Sequence, residues 1–367
     1  MTVSPEDVDP GLRERLAART LDLVNVGSVS GEEAVILASI ASAIPDAFDV
    51  ADREDAVVFA VPSARREDVP IVVLVGHVDT VPPNGNLPGV RDGDAIVGRG
   101  AADMKGALAV MLEIGEWLTA HPAISDLDVG LLFFGREELP ITESALLPLF
   151  DRCGAARSID LAIVMEPTAN AIQVGCLGNL TARVSFHGTA AHTARPWFGH
   201  NAIHTAIGAL TPIAELRPKD VEIDGLVFRE VVSVTSIEGG IAGNVVPDRV
   251  EARVNFRYAP TRSPAEAEER LRDLISFGDT ELTVIGNAPP GPVAVHNPMV
   301  DRLRTRGDLR VGPKQAWTSV AEFGTIGVDA VNLGPGDPQY AHRDDERVET
   351  AALEHAYRVL RTFLTAR

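Results

Sequence analysis

Seven side chains stand out by type and place: His77, Asp79, Asp103, Glu137, Glu138, Glu166 and His342. Most of them follow a short apolar run. "IVVLVG" leads into His77 and Asp79, "LLFFG" into Glu137 and Glu138, and "DLAIVM" into Glu166; "AVNLGPG" precedes His342 by a short loop. Neutral imidazole and carboxylate together suit zinc and similar divalent ions. Two adjacent glutamates repel, and carboxylates close to a core are costly unless something positive compensates them. Asp79 lies two residues beyond His77. In extended chain it points to the same side, where it can accept the second imidazole N–H and fix the tautomer. Taken singly, each of these residues reads more readily as packing or solvated surface. Their shared position at strand exits is what makes the set informative.

The elements that must position them are legible. "IVVLVG" (71–76), "DVGLLFFG" (128–135) and "DLAIVM" (160–165) are almost continuously apolar, as strands buried on both faces are. The amphipathic stretch "MKGALAVMLEIGEWLTAH" lies between the first two, and this alternation implies an α/β sheet. In such sheets ligands gather at the carboxyl ends of the strands, so residues scattered in sequence can converge. Asp103 sits in "GRGAADMKG", where that helix is expected to begin near Met104 and the glycines permit a tight turn. The middle of the chain differs. "NLTARVSF" alternates strictly, "NAIHTAIGALTPIAEL" reads as a helix, and "REVVSVTSI", "DRVEARVNFRY" and "ELTVI" read as strands. "SPAEAEERLRDLISF" opens with Ser263 as N-cap, Pro264 at the first helical position and Glu266 two residues on, a capping box. The order β-α-β-β-α-β predicts a ferredoxin-like sandwich with one solvated sheet face. "GNAPPGP" (286–292) reads as a linker, after which the α/β style resumes. Two domains are expected: residues 1–178 with 290–367, and an inserted domain at 179–289.

With 367 residues, 45% of them apolar, the chain can build a real core. A net charge of −19 argues against nucleic acid, which requires a basic footprint. The opening "MTVSPEDVDPGLRERL" has no basic start or apolar run of a secretory signal, and no apolar stretch reaches membrane-spanning length. Two cysteines, Cys153 and Cys176, form no disulfide framework and fit a reducing cytoplasm. "GSVSGEE" does not have the spacing of a serine-hydrolase elbow, and the helical His-Glu-x-x-His zinc motif is absent.

The motifs "GHVDTVP", "GRGAADMKG", "GREE", "MEPT", "GTAAHTARP" and "GPGDPQYAHRDDE" occur in this order over nearly the whole chain. Together they resemble the dinuclear zinc amidohydrolase and exopeptidase family, which includes aminoacylase, acetylornithine deacetylase and glutamate carboxypeptidase. "GSVSGEE", "HTARPWFGHNAIH" and "AWTSVAEF" are most similar to its succinyl-diaminopimelate desuccinylases. The resemblance implies a zinc-exopeptidase-like catalytic domain, with a mostly parallel mixed sheet and helices on both faces, plus an α+β lid and dimerisation domain. It implies two divalent ions, zinc or cobalt: His77 and Glu166 on one, Glu138 and His342 on the other, Asp103 bridging, a cis peptide after Asp103, and Glu137 as general acid and base. The two neighbouring glutamates would then divide the work, one binding an ion and the other moving protons. Two dications against Asp103, Glu138, Glu166 and one hydroxide leave a neutral cluster, which a partly buried site tolerates.

The resemblance further implies that His192 donates to the developing oxyanion, often from the other subunit of a homodimer, and that Arg195, Asn244, Arg257 and Thr318 contact substrate. Where relatives carry Thr-Ser-Asp, this chain reads Thr318-Ser319-Val320. Arginine's planar fork suits a carboxylate, although surface ion pairs use the same geometry. The expected reaction is hydrolysis of N-succinyl-LL-2,6-diaminopimelate, a small N-acyl amino acid. Acetylornithine deacetylation, C-terminal peptide trimming, or an inactive binding relative are the alternatives.

Overall fold

A computed structural model describes residues 9–275 and 280–366. The first eight residues of the opening segment, and the last two of the helix read from "SPAEAEERLRDLISF", lie outside the described residues. The chain divides into two compact units.

The larger unit comprises residues 1–174, 294–312 and 322–367. Among its described residues, eight strands form one sheet in the order Phe48–Asp52, Val57–Pro62, Asp128–Phe134, Ile71–His77, Leu161–Val164, Ala330–Asn332, Ile172–Val174, Val311–Pro313. The four central strands, from Asp128–Phe134 to Ala330–Asn332, run parallel, and antiparallel pairs flank them. Ile71 through Val75 are each no more than 2% exposed. Burial of each such aliphatic side chain stabilises the fold by roughly 1.5–3 kcal/mol, enough to hold a strand whose end carries an imidazole and a carboxylate. The register aligns His77 with Phe134 and Val75 with Val164, so Glu137, Glu138 and Glu166 leave the sheet on the same edge as His77. Helices Leu12–Val24, Gly106–Ala120 and Thr350–Leu364 pack together in this unit. Gly76 is needed beneath the middle one: a Cβ there would lie 2.5 Å from Leu108.

The helix expected near Met104 begins at Gly106. Residues Ala101–Lys105 form a wide turn instead, in which Asp103 and Met104 are not helical and the Asp103–Met104 peptide is cis. The turn is entered through Gly100, whose φ of 82° lies in the left-handed region that favours glycine.

The smaller unit comprises residues 175–293 and 313–321. Among its described residues, the main sheet has five strands in the order Lys219–Ile223, Leu226–Gly239, Arg249–Tyr258, Gly178–His187, Thr280–Ala288. The contacts between neighbours are antiparallel. Leu180, Ala182, Val184 and Phe186 face helices Ala202–Ala214 and Pro264–Ile275 across a core completed by Val250, Ala252, Val254 and Phe256. The capping box forms: Glu266 accepts from the Ser263 N–H at 2.8 Å, and Ser263 Oγ from the Glu266 N–H at 3.3 Å.

Three expectations are corrected here. The sheet has an additional hairpin strand, Lys219–Ile223, whose alternation is confined to Val221 and Ile223, too short a signal to mark a strand. Residues 286–288 are the end of a strand paired to Leu180 and its neighbours, not linker. Residues 313–321, read as part of the larger domain, cluster with the smaller unit and take Thr318 with them.

Candidate active site

The strand exits do converge. Three overlapping groups in the larger unit bring ligand-type atoms within 4.8 Å of one another: His77, Asp103 and Glu166; Asp103, Glu138 and His342; His77, Glu137 and Glu138. Asp103 stands between two histidines. Its Oδ1 lies 3.0 Å from His77 Nε2, and its Oδ2 lies 3.5 Å from His342 Nε2. His77 Nε2 also lies 3.8 Å from Glu166 Oε1, and His342 Nε2 lies 2.8 Å from Glu138 Oε1. Donor atoms on one tetrahedral zinc, at bonds of ~2.0–2.1 Å, are roughly 3.4 Å apart, a spacing these separations bracket. Two imidazoles and three carboxylates are also the hard and borderline donors a divalent cation requires. The residues therefore fit a pair of divalent cations.

The backbone beneath this cluster is held by buried carboxylates. Asp79 is fully buried, and its Oδ1 and Oδ2 accept the main-chain N–H groups of Glu137 and Glu138, each at 3.1 Å. Ser30 Oγ donates to the same carboxylate at 2.7 Å. The His77 Nδ1 sits 3.0 Å from the main-chain oxygen of Asp79 and 3.6 Å from its carboxylate. The tautomer is thus fixed chiefly by a carbonyl rather than by the side chain the spacing suggested. Glu33 accepts from Gly31 and Arg136 N–H groups at 2.7 and 3.1 Å. A Cβ on Gly135 would meet Glu33 at 2.8 Å, which explains the glycine that breaks the "LLFFG" run. Arg136 and His342 both have left-handed backbones, with φ of 62° and 65°. Such strain in non-glycine residues clusters at functional sites.

The charges respond accordingly. Burial pushes the Glu137 carboxyl well above its ordinary range, and the nearby charges of Glu166, Glu138 and Asp103 push it further. Burial pulls the His77 imidazole down, but the Asp103 and Asp79 carboxylates more than offset this and raise it. His342 is raised to about 10 by Asp103 and Glu138. Asp103 is held low despite its burial, because both imidazoles donate to it. The carboxylates that favour the imidazole protons here are the same donors a dication would compete for.

The remaining expected residues belong to the smaller unit. His192 is exposed on a two-residue strand opposite Val245. Its main-chain oxygen accepts from the Arg195 N–H at 2.8 Å, and the Asn244 oxygen accepts from Thr193 at 3.1 Å, so His192, Arg195 and Asn244 form one neighbourhood. Arg257 is half-buried, and its Nε donates to Asn255 Oδ1 at 3.1 Å. Thr318 is 2% exposed, and its main-chain oxygen receives the Cys176 thiol at 3.6 Å. Sequence reasoning missed Ser30, Glu33, Arg99 and Glu346. Ser30 and Glu33 lie in "GSVSGEE", Arg99 in "GRGAADMKG" and Glu346 at the end of "GPGDPQYAHRDDE", so each stood in a motif without its own part being read.

The family description Peptidase family M20/M25/M40 matches residues 73–366. A putative succinyl-diaminopimelate desuccinylase from Mycobacterium tuberculosis is 36% identical over 348 residues, covering 94% of this chain and 96% of that one. A succinyl-diaminopimelate desuccinylase from Corynebacterium glutamicum is 33% identical, with 94% and 95% covered. Among solved structures, a Bacillus subtilis protein described as a dinuclear metal binding peptidase shares the fold, with a TM-score of 0.70, 16% identity, and 97% and 98% of the two chains covered. The chain belongs to peptidase family M20/M25/M40 and is a hydrolase of amide bonds.

Proposed function

We propose that this enzyme removes the succinyl group from N-succinyl-LL-2,6-diaminopimelate, releasing succinate and LL-2,6-diaminopimelate in the cytoplasm on the route to lysine. The two desuccinylases at 36% and 33% identity support the substrate. The observation that carries the chemistry is Asp103, with one oxygen toward each histidine. His77, Asp103 and Glu166 would hold one cation, and Asp103, Glu138 and His342 the other, zinc being the ion this donor set suits best and cobalt the next. Bound there, the ions supply Lewis-acid polarisation of the carbonyl and a water acidified toward neutrality.

The chain's own residues do the rest. Glu137 remains outside the two ligand sets, and its raised carboxyl is matched to taking a proton from water and returning it to the departing amine. Asp79 keeps Glu137 and Glu138 in place through their backbone. In this reading the larger unit is the catalytic domain and the smaller one the lid and dimerisation domain. His192 donates to the oxyanion, and Arg195, Asn244, Arg257 and Thr318 bind the carboxylates and amine of the substrate.

A panel of purified substrates tests the proposal: succinyl-diaminopimelate, N-acetylornithine and C-terminal dipeptides, each assayed with and without added zinc after chelation. Preference for the succinylated substrate by at least tenfold in kcat/KM, lost without metal, is expected. Preference for either of the others would replace the substrate, and no turnover of any would favour a binding protein.

A further inference from the structure

The two loops that bear Asp103 and His342 are joined by one buried ion pair. Arg99 and Glu346 are 3% and 0% exposed. Arg99 Nη1 donates to Glu346 Oε2 at 2.8 Å. The other oxygen, Oε1, accepts the main-chain N–H groups of Ala102 and Asp103 at 3.2 and 3.1 Å. The same Arg99 nitrogen reaches the Arg343 carbonyl at 3.3 Å, one residue past His342. The loops are also stitched directly, Gly98 N–H to the Glu346 carbonyl at 2.9 Å.

A buried ion pair is weak support for stability, because desolvation offsets most of the Coulombic gain. Arg99 Nε moreover has no acceptor among the described residues. Hydrophobic side chains of similar volume would serve packing as well, whereas they could not accept two backbone N–H groups. The pair's geometry is therefore specific to holding this backbone.

We infer that Glu346, its buried charge balanced by Arg99, is a positioning residue that sets the geometry of the Asp103–Glu138–His342 cation site, a claim that rests on the metal-site reading above. That site takes two of its three ligands from the clamped loops. The His77–Asp103–Glu166 site takes only Asp103 from them. Loss of the clamp should therefore weaken one site selectively.

The test is titration of the metal-free protein with Co2+, followed by its d–d absorption, and with Zn2+ against a chromophoric chelator, which gives stepwise affinities. Glu346→Ala should weaken one equivalent by roughly 10–100-fold, the effect usual for residues that orient ligands, and leave the other nearly unchanged. The double variant Arg99→Met/Glu346→Gln keeps an acceptor at the two amides without the charges, and should recover most of the lost affinity. Unchanged affinity at both equivalents in Glu346→Ala, equal weakening of both, or a double variant as weak as Glu346→Ala would each overturn the inference. A parent protein that binds fewer than two Co2+, or a His342→Ala variant that binds as the parent does, would instead overturn the metal-site reading.

Discussion

Asp79 grips the backbone of Glu138: its Oδ2 accepts the Glu138 N–H at 3.1 Å, and its Oδ1 takes the neighbouring N–H of Glu137 at the same distance. One carboxylate thereby orients both acidic residues of the "GREE" turn from below. Asparagine at this position would turn an NH2 group toward one of those N–H donors. Asp79→Asn is expected to lower kcat by roughly 10–100-fold, with KM much less affected. Steady-state kinetics on metal-loaded protein measures this, and an unchanged kcat would refute the assignment.

The adjacent glutamates should separate by readout. Glu137→Gln should lower kcat by roughly 10²–10⁴-fold, the usual contribution of a general acid or base, while metal content stays at the parent value. Glu138→Ala should lose bound metal as well as turnover. Parallel metal analysis and rate assays distinguish the two. Equal metal loss in both variants would make Glu137 a ligand, consistent with its place in the His77–Glu137–Glu138 group.

A buried carboxyl away from the site gives a pH-dependent stability. Glu322 is 2% exposed, and its hydrogen-bond partner is Ser144 Oγ. Burial pushes its pKa from 4.5 up to about 7. Below about 4.5 the group is neutral in both folded and unfolded chains and carries no penalty. As pH rises toward 7 the unfolded chain ionises first, so stability falls, and above 7 the loss is complete. Glu322→Gln should remove the loss and be more stable than the parent at pH 8 by roughly 3 kcal/mol. It should show no such advantage at pH 4. Urea unfolding at the two pH values checks this, and equal differences at both would contradict it.

The smaller unit carries eight of the eleven large apolar residues exposed among the described residues, including Ile207, Ile237 and Ile285 at 53–55%. Concentrations of exposed apolar surface mark interaction sites. Sedimentation should show a dimer, and Ile207→Glu with Ile237→Glu should shift it toward monomer without altering metal content. A parent that sediments only as monomer would exclude pairing through this unit.

Strand exits made most of the cluster legible in sequence, because a buried parallel strand is nearly all apolar and its first polar residues mark the sheet edge. His77, Glu137, Glu138 and Glu166 were visible for that reason. Asp103 and His342 sit in loops and became recognisable only through the motifs around them. Arg99 and Glu346 lay inside "GRGAADMKG" and "GPGDPQYAHRDDE", but a carboxylate that accepts backbone N–H groups looks like any loop acid, and only the fold shows which amides it faces. Asp79 was noticed for its spacing from His77, but spacing could not reveal that two main-chain amides compete for its oxygens. In the smaller unit, alternation identified the strands with one apolar face. It missed Lys219–Ile223, a short edge strand with only Val221 and Ile223 half-buried on its inner side.

His77 is 1% exposed while His342 is 49% exposed. The two candidate ion positions thus differ in depth. One is enclosed by the sheet edge, and the other opens to solvent through a loop. In the proposed dinuclear reading, an ion at the open position would exchange with solvent sooner than one at the enclosed position.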